Sequence, residues 1–215
     1  MTTMKLTLPG PFSGVAVDMD GTLVDTEPLW LVAKRRMFAH YDTTFEPRDH
    51  VAVFGRDEQF TATYLTGRLG MAPERREEIR LEYRSIVAGT FAAGVPLRPG
   101  ALELLQALEG VVPVGLATNT NRELVDIVLD RTGLGRYLGS ISTAESGAAK
   151  PAPDIYLAAC RSMGVDPTSA VAIEDSPTGI KAARAAGLTC IAVPSETTDG
   201  LHEADHIIAS LLDLL

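Results

Sequence analysis

Two aspartates stand one residue apart in Asp18-Met19-Asp20-Gly21-Thr22-Leu23, directly after the apolar run Gly14-Val15-Ala16-Val17. Alternation along an extended chain points residues 18 and 20 to the same side. Carboxylates that close disfavour joint ionisation unless a cation lies between them or one keeps its proton. Phosphoryl transfer uses both solutions, with a metal to cancel charge and a protonated carboxyl to serve as an acid. An EF-hand does not fit, because its loop places glycine at position six and Gly21 is the fourth residue of this run. A receiver domain also combines a phospho-accepting Asp with Thr and Lys, but its acceptor lies on a later strand and no long insertion follows its first.

Three further segments carry polar groups at the ends of apolar runs. Thr118-Asn119-Thr120 supplies hydroxyls and backbone N–H groups that can hold phosphate oxygens where a helix opens. Lys150, in Ala149-Lys150-Pro151-Ala152-Pro153, is a fixed positive charge ahead of a helix. Glu174-Asp175-Ser176 is a second acidic pair, and with Asp18 and Asp20 it makes an oxygen donor set suited to a hard cation. His202-Glu203-Ala204-Asp205-His206 matches the letters of a zinc-protease motif, which works only with both histidines on one helix face. Here it follows Thr197-Thr198-Asp199-Gly200 and runs into Ile207-Ile208, so it is expected to leave a helix end or loop for a strand, without zinc.

The elements that must position these groups follow from periodicity. Apolar runs at 14–17, 111–117, 139–142, 170–173, 189–193 and 206–208 read as buried strands. Ala101, Leu104, Leu105 and Leu108 mark one face of a helix, and Leu124, Ile127 and Val128 another. Ser176-Pro177 reads as an N-cap with proline at the first helical position, opening a helix that reaches about Ala186, with Gly187 beyond it. Strands alternating with helices predict an α/β fold, a doubly wound parallel sheet in a Rossmann-like three-layer core. Residues 19–110 are too long for one crossover, and 27–39, 58–69 and 73–92 carry helical periodicity. The expected division is a core of 1–26 and 95–215 with an inserted small helical cap domain over 27–94. Trp30 falls in that insertion, in a cap core or on a contact surface.

Bulk properties narrow the function. The chain has 215 residues, a net charge of −9 and 46% hydrophobic residues, which argues against a nucleic-acid binder. No apolar run approaches bilayer length, so no membrane partner is expected. The start, MTTMKLTLPG, does not read as a secretory signal. Cys160 and Cys190 lie in apolar stretches and read as buried inert thiols, which points to the cytoplasm. Association is expected to go no further than a monomer or small homo-oligomer.

DMDGTL, ATNT, KPAPD and IEDSPTGIKAA, in this order and spacing, resemble the four motifs of the haloacid dehalogenase-like hydrolase superfamily. The insertion resembles the helical cap of its beta-phosphoglucomutase and sugar-phosphate phosphatase branch, with VDTEPLW at its start. The resemblance runs from about Ser13 to the end of the chain. It implies Asp18 as nucleophile, Asp20 as general acid/base, and Thr118, Asn119 and Lys150 around the phosphate. It further implies Mg2+ held by Asp18, Asp20 (through its backbone carbonyl), Glu174 and Asp175. Glu27 and Arg56, the latter in Phe54-Gly55-Arg56, are the implied cap contacts to substrate.

The implied substrate is a small phosphorylated metabolite such as a sugar or polyol phosphate. Asp20 sets the chain apart from members that cleave carbon–halogen bonds, which lack the second aspartate. Thr120-Asn121-Arg122 lacks the lysine of the mutase pattern, which favours a phosphatase over a phosphosugar mutase, the alternative reading. A non-enzymatic phosphate-binding module is a third, and it would not require nucleophile, acid/base, lysine and metal ligands together.

Overall fold

The computed structural model describes residues 6–53, 56–195 and 200–215. It divides into two compact units, one from Met1–Asp25 and Pro96–Leu215, the other from Thr26–Val95.

The first unit is built on a six-stranded sheet of β1 (Gly14–Val17), β2 (Val114–Ala117), β3 (Ser140–Ser142), β4 (Ala170–Glu174), β5 (Thr189–Ala192) and β6 (His206–Ile207). All pairs are parallel, in the order β3-β2-β1-β4-β5-β6. β1, β2 and β4 are buried along their whole length, which is why they read as unbroken apolar runs. The crossovers are α5 (Ala101–Leu108), α6 (Arg122–Thr132), α7 (Asp154–Met163) and α8 (Pro177–Ala185). Strand order reverses at β1, and right-handed crossovers then place α5 and α6 on one face, α7 and α8 on the other.

On the α7/α8 face the sheet offers small side chains, Ala16, Ala117, Ala172, Cys190 and Ala192, packed with Ile155, Tyr156, Ala159, Cys160 and Ile180. Alternation sends Val15, Val17, Leu116 and Ile173 to the opposite face. In α5 the fully buried Leu104, Leu105 and Leu108 each contribute about 1.5–3 kcal/mol of transfer free energy.

The second strand is shorter than its apolar run. Val111 is exposed, and Val111 and Val112 donate back to the Leu108 carbonyl, closing the helix end. Pro113 has no N–H to give, and the ladder begins where its carbonyl accepts from Val15. Both cysteines are buried and unpaired, and burial pushes the Cys160 thiol up to about 11, where it is unreactive. No helix among the described residues is long and apolar enough to cross a membrane.

The second unit contains α1 (Glu27–His40), α2 (Pro47–Val53), α3 (Glu58–Arg68), a 3-10 turn at Pro73–Arg75 and α4 (Arg76–Ala92). Helix α4 packs on α1 and α3. Ala33, Met37, Phe38, Leu65, Ile79, Val87 and Phe91 are buried there. Trp30 belongs to this unit's aromatic cluster, edge-on to Phe91 at 5.2 Å between centroids and tilted against Tyr83 at 6.3 Å. Helix α2 has no sequence signature, because seven residues hold too little of a period to register. It is fixed by buried Asp49, which accepts from the Glu46 N–H at 2.7 Å, Tyr64 Oη at 2.6 Å and Arg68 Nε at 2.7 Å.

Candidate active site

Asp18 follows the last residue of β1, and its N–H still donates to the Ile173 carbonyl of β4. The chain then turns sharply, with the Leu23 and Val24 N–H groups both donating to Met19 O. Gly21 has φ +78°, and a Cβ built there would lie 2.0 Å from Asp175 Oδ2. Glycine is therefore required by backbone conformation and by the carboxylate beside it. Asp20 points to Thr120, whose Oγ1 donates to Asp20 Oδ2 at 2.7 Å, with Thr118 Oγ1 at 3.4 Å from the same oxygen.

Thr118 does not open α6. The N-cap is Asn121, whose Oδ1 accepts from the Leu124 N–H at 3.1 Å, so residues 118–120 form a loop ahead of the helix. Thr118 Oγ1 accepts from the Thr120 N–H at 3.1 Å. Asn119 holds the Lys150 backbone, accepting from its N–H at 2.8 Å and donating to its carbonyl at 3.4 Å. That grip aims the Lys150 ammonium at Asp18 Oδ1, 2.6 Å away, and at Glu174 Oε1, 2.5 Å away.

Glu174 ends β4 fully buried. Its Oε1 also accepts from Tyr156 Oη at 2.8 Å, and its Oε2 accepts from the Asp175 N–H, the Ser176 N–H and Ser176 Oγ at 3.1, 3.2 and 3.0 Å. A Cβ on Gly179 would sit 1.8 Å from Glu174 Oε1, so the open first turn of α8 makes room for this carboxylate. Ser176 caps that helix by accepting from the Gly179 N–H at 3.1 Å, with Pro177 at the first helical position. Asp175 accepts from Ser195 Oγ at 2.5 Å.

The electrostatics are strained towards anions. Burial, opposed by Lys150 and reinforced by Glu174, Asp175 and Asp20, lifts the Asp18 carboxyl well above its ordinary range. Burial and the Glu174 charge, against the Ser195 hydrogen bond, lift Asp175 to about 7. Burial works against the Lys150 charge, but Asp18 and Glu174 outweigh it and hold the ammonium protonated. One ammonium thus faces the carboxyl groups of Asp18, Glu174, Asp175 and Asp20, an excess of negative charge that a bound cation relieves.

Asp18, Glu174 and Asp175 each bring an oxygen within 4.8 Å of the others, and among the described residues they form the one such group. Their oxygen-only chemistry fits a hard divalent cation. Glu174 is the most committed of the three, since both its oxygens already serve protein donors; the Asp20 carboxylate is not a member of the group.

His202 lies in a 3-10 turn at Leu201–Glu203 and His206 begins β6, so the two histidines share no helix face. Thr197, Thr198 and Asp199 before them lie outside the described residues, as do Phe54 and Gly55. Glu27 and Arg56 belong to the helical unit. Glu27 opens α1 and pairs with Lys34 at 3.2 Å, while exposed Arg56 lays its guanidinium 4.8 Å from the Phe60 ring centroid. Tyr156 and Ser195 are polar contacts with no motif of their own, and Thr120, expected among the phosphate-holding hydroxyls, is turned to Asp20 instead. Thr120 had a signal in its i, i+2 relation to Thr118, whereas Tyr156 and Ser195 reach the site only through packing.

The chain is 32% identical to (DL)-glycerol-3-phosphatase 1 of Arabidopsis thaliana over 95% of its own length and 72% of that protein's. It is 30% identical to fructose-1-phosphate phosphatase YqaB of Escherichia coli over 85% of its own length and 96% of that protein's. Among solved structures, CbbY from Rhodobacter sphaeroides with bound phosphate superposes with a TM-score of 0.83 at 27% identity, over 94% of this chain and 96% of that one. Beta-phosphoglucomutase from Clostridium difficile shares the fold, with a TM-score of 0.82 at 19% identity over 95% and 93% of the two chains. The haloacid dehalogenase-like hydrolase model matches residues 12–187, from the approach to β1 to the end of α8, and the chain belongs to that family.

Proposed function

We propose that this protein is a Mg2+-dependent phosphoric monoester hydrolase that acts on a small sugar or polyol phosphate through Asp18. The observation that carries the reading is the second carboxyl group, Asp20, held by Thr120 at 2.7 Å beside a nucleophile that Lys150 contacts at 2.6 Å. Relatives named for glycerol-3-phosphate and fructose-1-phosphate support the substrate class. In this reading the helical unit over 27–94 acts as the cap. The unpaired thiols Cys160 and Cys190 support a reducing, cytoplasmic setting.

An Asp18 oxygen attacks phosphorus in line, forming the O–P bond of an aspartyl-phosphate as the bond to the leaving alkoxide breaks. Asp20 donates a proton to that alkoxide. A water molecule then attacks phosphorus, Asp20 takes its proton, and inorganic phosphate leaves with Asp18 restored. Lys150, with Thr118 and the Asn119 N–H, stabilises the phosphoryl oxygens as their charge redistributes. Asp18, Asp175 and the Asp20 carbonyl would hold Mg2+, with Glu174 in support. When bound, the ion supplies positive charge that offsets repulsion between the Asp18 carboxylate and the phosphate dianion.

The test is phosphate release from a broad panel of phosphorylated metabolites, with Mg2+, with EDTA, and with Asp18→Asn. Turnover should need Mg2+ and fall on the order of 10⁴–10⁶-fold in the variant. Mg2+ at about 100 times its dissociation constant should also stabilise the fold by about 2.7 kcal/mol in thermal unfolding. Release that survives Asp18→Asn would remove Asp18 as nucleophile. Isomerisation of a sugar phosphate primed by a bisphosphate, without net phosphate release, would replace hydrolysis by the mutase reaction.

A further inference from the structure

Tyr156 stands in the first turn of α7, and none of it reaches solvent. Its ring belongs to the apolar cluster of Ala16, Ala117, Ile155 and Ala159 on the α7/α8 face of the sheet. A phenylalanine would fill that space as well, so packing accounts for the ring and not for the hydroxyl. A tyrosine buried to this degree needs a partner for its O–H, and it has one in Glu174 Oε1 at 2.8 Å. The same ring lies against the Lys150 ammonium, whose Nζ is 4.8 Å from the ring centroid. One side chain therefore touches both members of the Lys150–Glu174 pair, and all three residues belong to the sheet-bearing unit.

The hydroxyl changes how Glu174 can act on the lysine. Oε1 accepts from Lys150 and Tyr156, and Oε2 accepts from the Asp175 N–H, the Ser176 N–H and the Ser176 hydroxyl. A carboxylate offers about four lone-pair sites, so these donors leave none of them empty. Hydrogen bonds of this kind stabilise the buried charge without drawing on the ammonium. Lys150 has three N–H bonds to give, and among the described residues it gives one to Glu174 and one to Asp18, at 2.6 Å. The third is left for a phosphoryl oxygen. Attraction between the ammonium and the face of the ring restricts it further.

We propose that Tyr156 is a positioning residue, whose hydroxyl on Glu174 and ring against Lys150 hold the ammonium on Asp18 with one N–H free for the phosphoryl group in the transition state. The inference rests on the phosphatase reading above and deepens it. Without the hydroxyl, Glu174 loses a donor and draws the ammonium towards itself and away from the attacking oxygen. Without the ring as well, the ammonium loses its second constraint.

The experiment compares wild type, Tyr156→Phe and Tyr156→Leu on the best substrate of the phosphate-release panel, with Mg2+ present. Affinities for orthovanadate, which adopts the five-coordinate geometry of the transferring phosphoryl group, and for inorganic phosphate are measured by calorimetry. In Tyr156→Phe, kcat should fall about 10- to 100-fold with KM changed by no more than about twofold. Vanadate affinity should fall by a similar factor while phosphate affinity holds, because the lost contact is one made in the transition state. Tyr156→Leu should lose more than Tyr156→Phe. Should the leucine variant fail to fold, as its unfolding midpoint would show, Tyr156→Phe, which keeps the ring, decides alone. A wild-type kcat in Tyr156→Phe, or equal losses of vanadate and phosphate affinity, would overturn the inference and leave the phosphatase reading standing. Wild type that releases phosphate from no member of the panel would overturn both.

Discussion

Thr120 shows how much of this site depends on a group that does no chemistry. Asp20 must present its carboxyl to a leaving alkoxide and then to a water molecule, and the 2.7 Å hydrogen bond from Thr120 Oγ1 restricts it to one orientation. A hydrogen bond to a charged group is worth about 1.5–3 kcal/mol, which corresponds to roughly 10- to 100-fold in rate if it is needed in the transition state. Thr120→Val should therefore lower kcat by about that factor with little change in KM, and Thr120→Ser should recover most of it. Equal activity in the Val and wild-type proteins would show that Asp20 is oriented by other means. Lys150 has a comparable dependence on Asn119, whose side chain grips the lysine's backbone at both its N–H and its carbonyl.

At the scale of an element, the first turn of α8 acts as a socket for Glu174. Ser176 serves both the helix, by accepting from the Gly179 N–H, and the carboxylate, by donating its N–H and its hydroxyl. Gly179 leaves the space that Glu174 fills, since a Cβ would overlap Oε1 at 1.8 Å. Gly179→Ala would ordinarily favour a helix by about 1 kcal/mol, but here overpacking costing about 1–3 kcal/mol should prevail. The expected result is a lower unfolding midpoint together with a large loss of turnover, because Glu174 and Lys150 move as one. A midpoint raised above wild type would show that the socket is looser than these distances imply.

At the scale of the molecule, the helical unit carries its own buried ion pair, distinct from the chemistry at the strand ends. Asp49 is buried, and although burial alone would raise its carboxyl, hydrogen bonds from Tyr64, the Glu46 N–H and Arg68 bring it below its ordinary value. A depressed carboxylate stabilises the fold above its unfolded pKa of about 3.9, and the contribution disappears as pH falls through the lower folded value. Asp49→Ala should therefore destabilise the protein at neutral pH by about 2–3 kcal/mol, discounted from the ~3–5 of a fully buried pair because Arg68 is 24% exposed. The gap from wild type should shrink below about pH 4, as measured by denaturant unfolding across pH. A gap that stays constant with pH would mean that lost packing, not the carboxylate, sets the cost.

The sequence by itself determined the parallel sheet, the strand-end positions of Asp18, Thr118 and Glu174, and the capped start of α8. Those features are encoded locally, in apolar runs, abrupt polar ends and a serine–proline pair. The helical character of the insertion was legible for the same reason, while α2 was not, because its seven residues are held by Asp49 contacts that reach to α3. β2 begins at Val114, later than its apolar run, because Val111 and Val112 share the composition of a strand while their N–H groups close a helix. Tertiary structure alone decided which groups serve one another: Thr120 with Asp20, Tyr156 and Lys150 with Glu174, Ser195 with Asp175, and Lys34 with Glu27 and His50. Most of these pairs are separated by long stretches of chain, and no local periodicity encodes a hydrogen bond made by side chains that meet only after the elements pack.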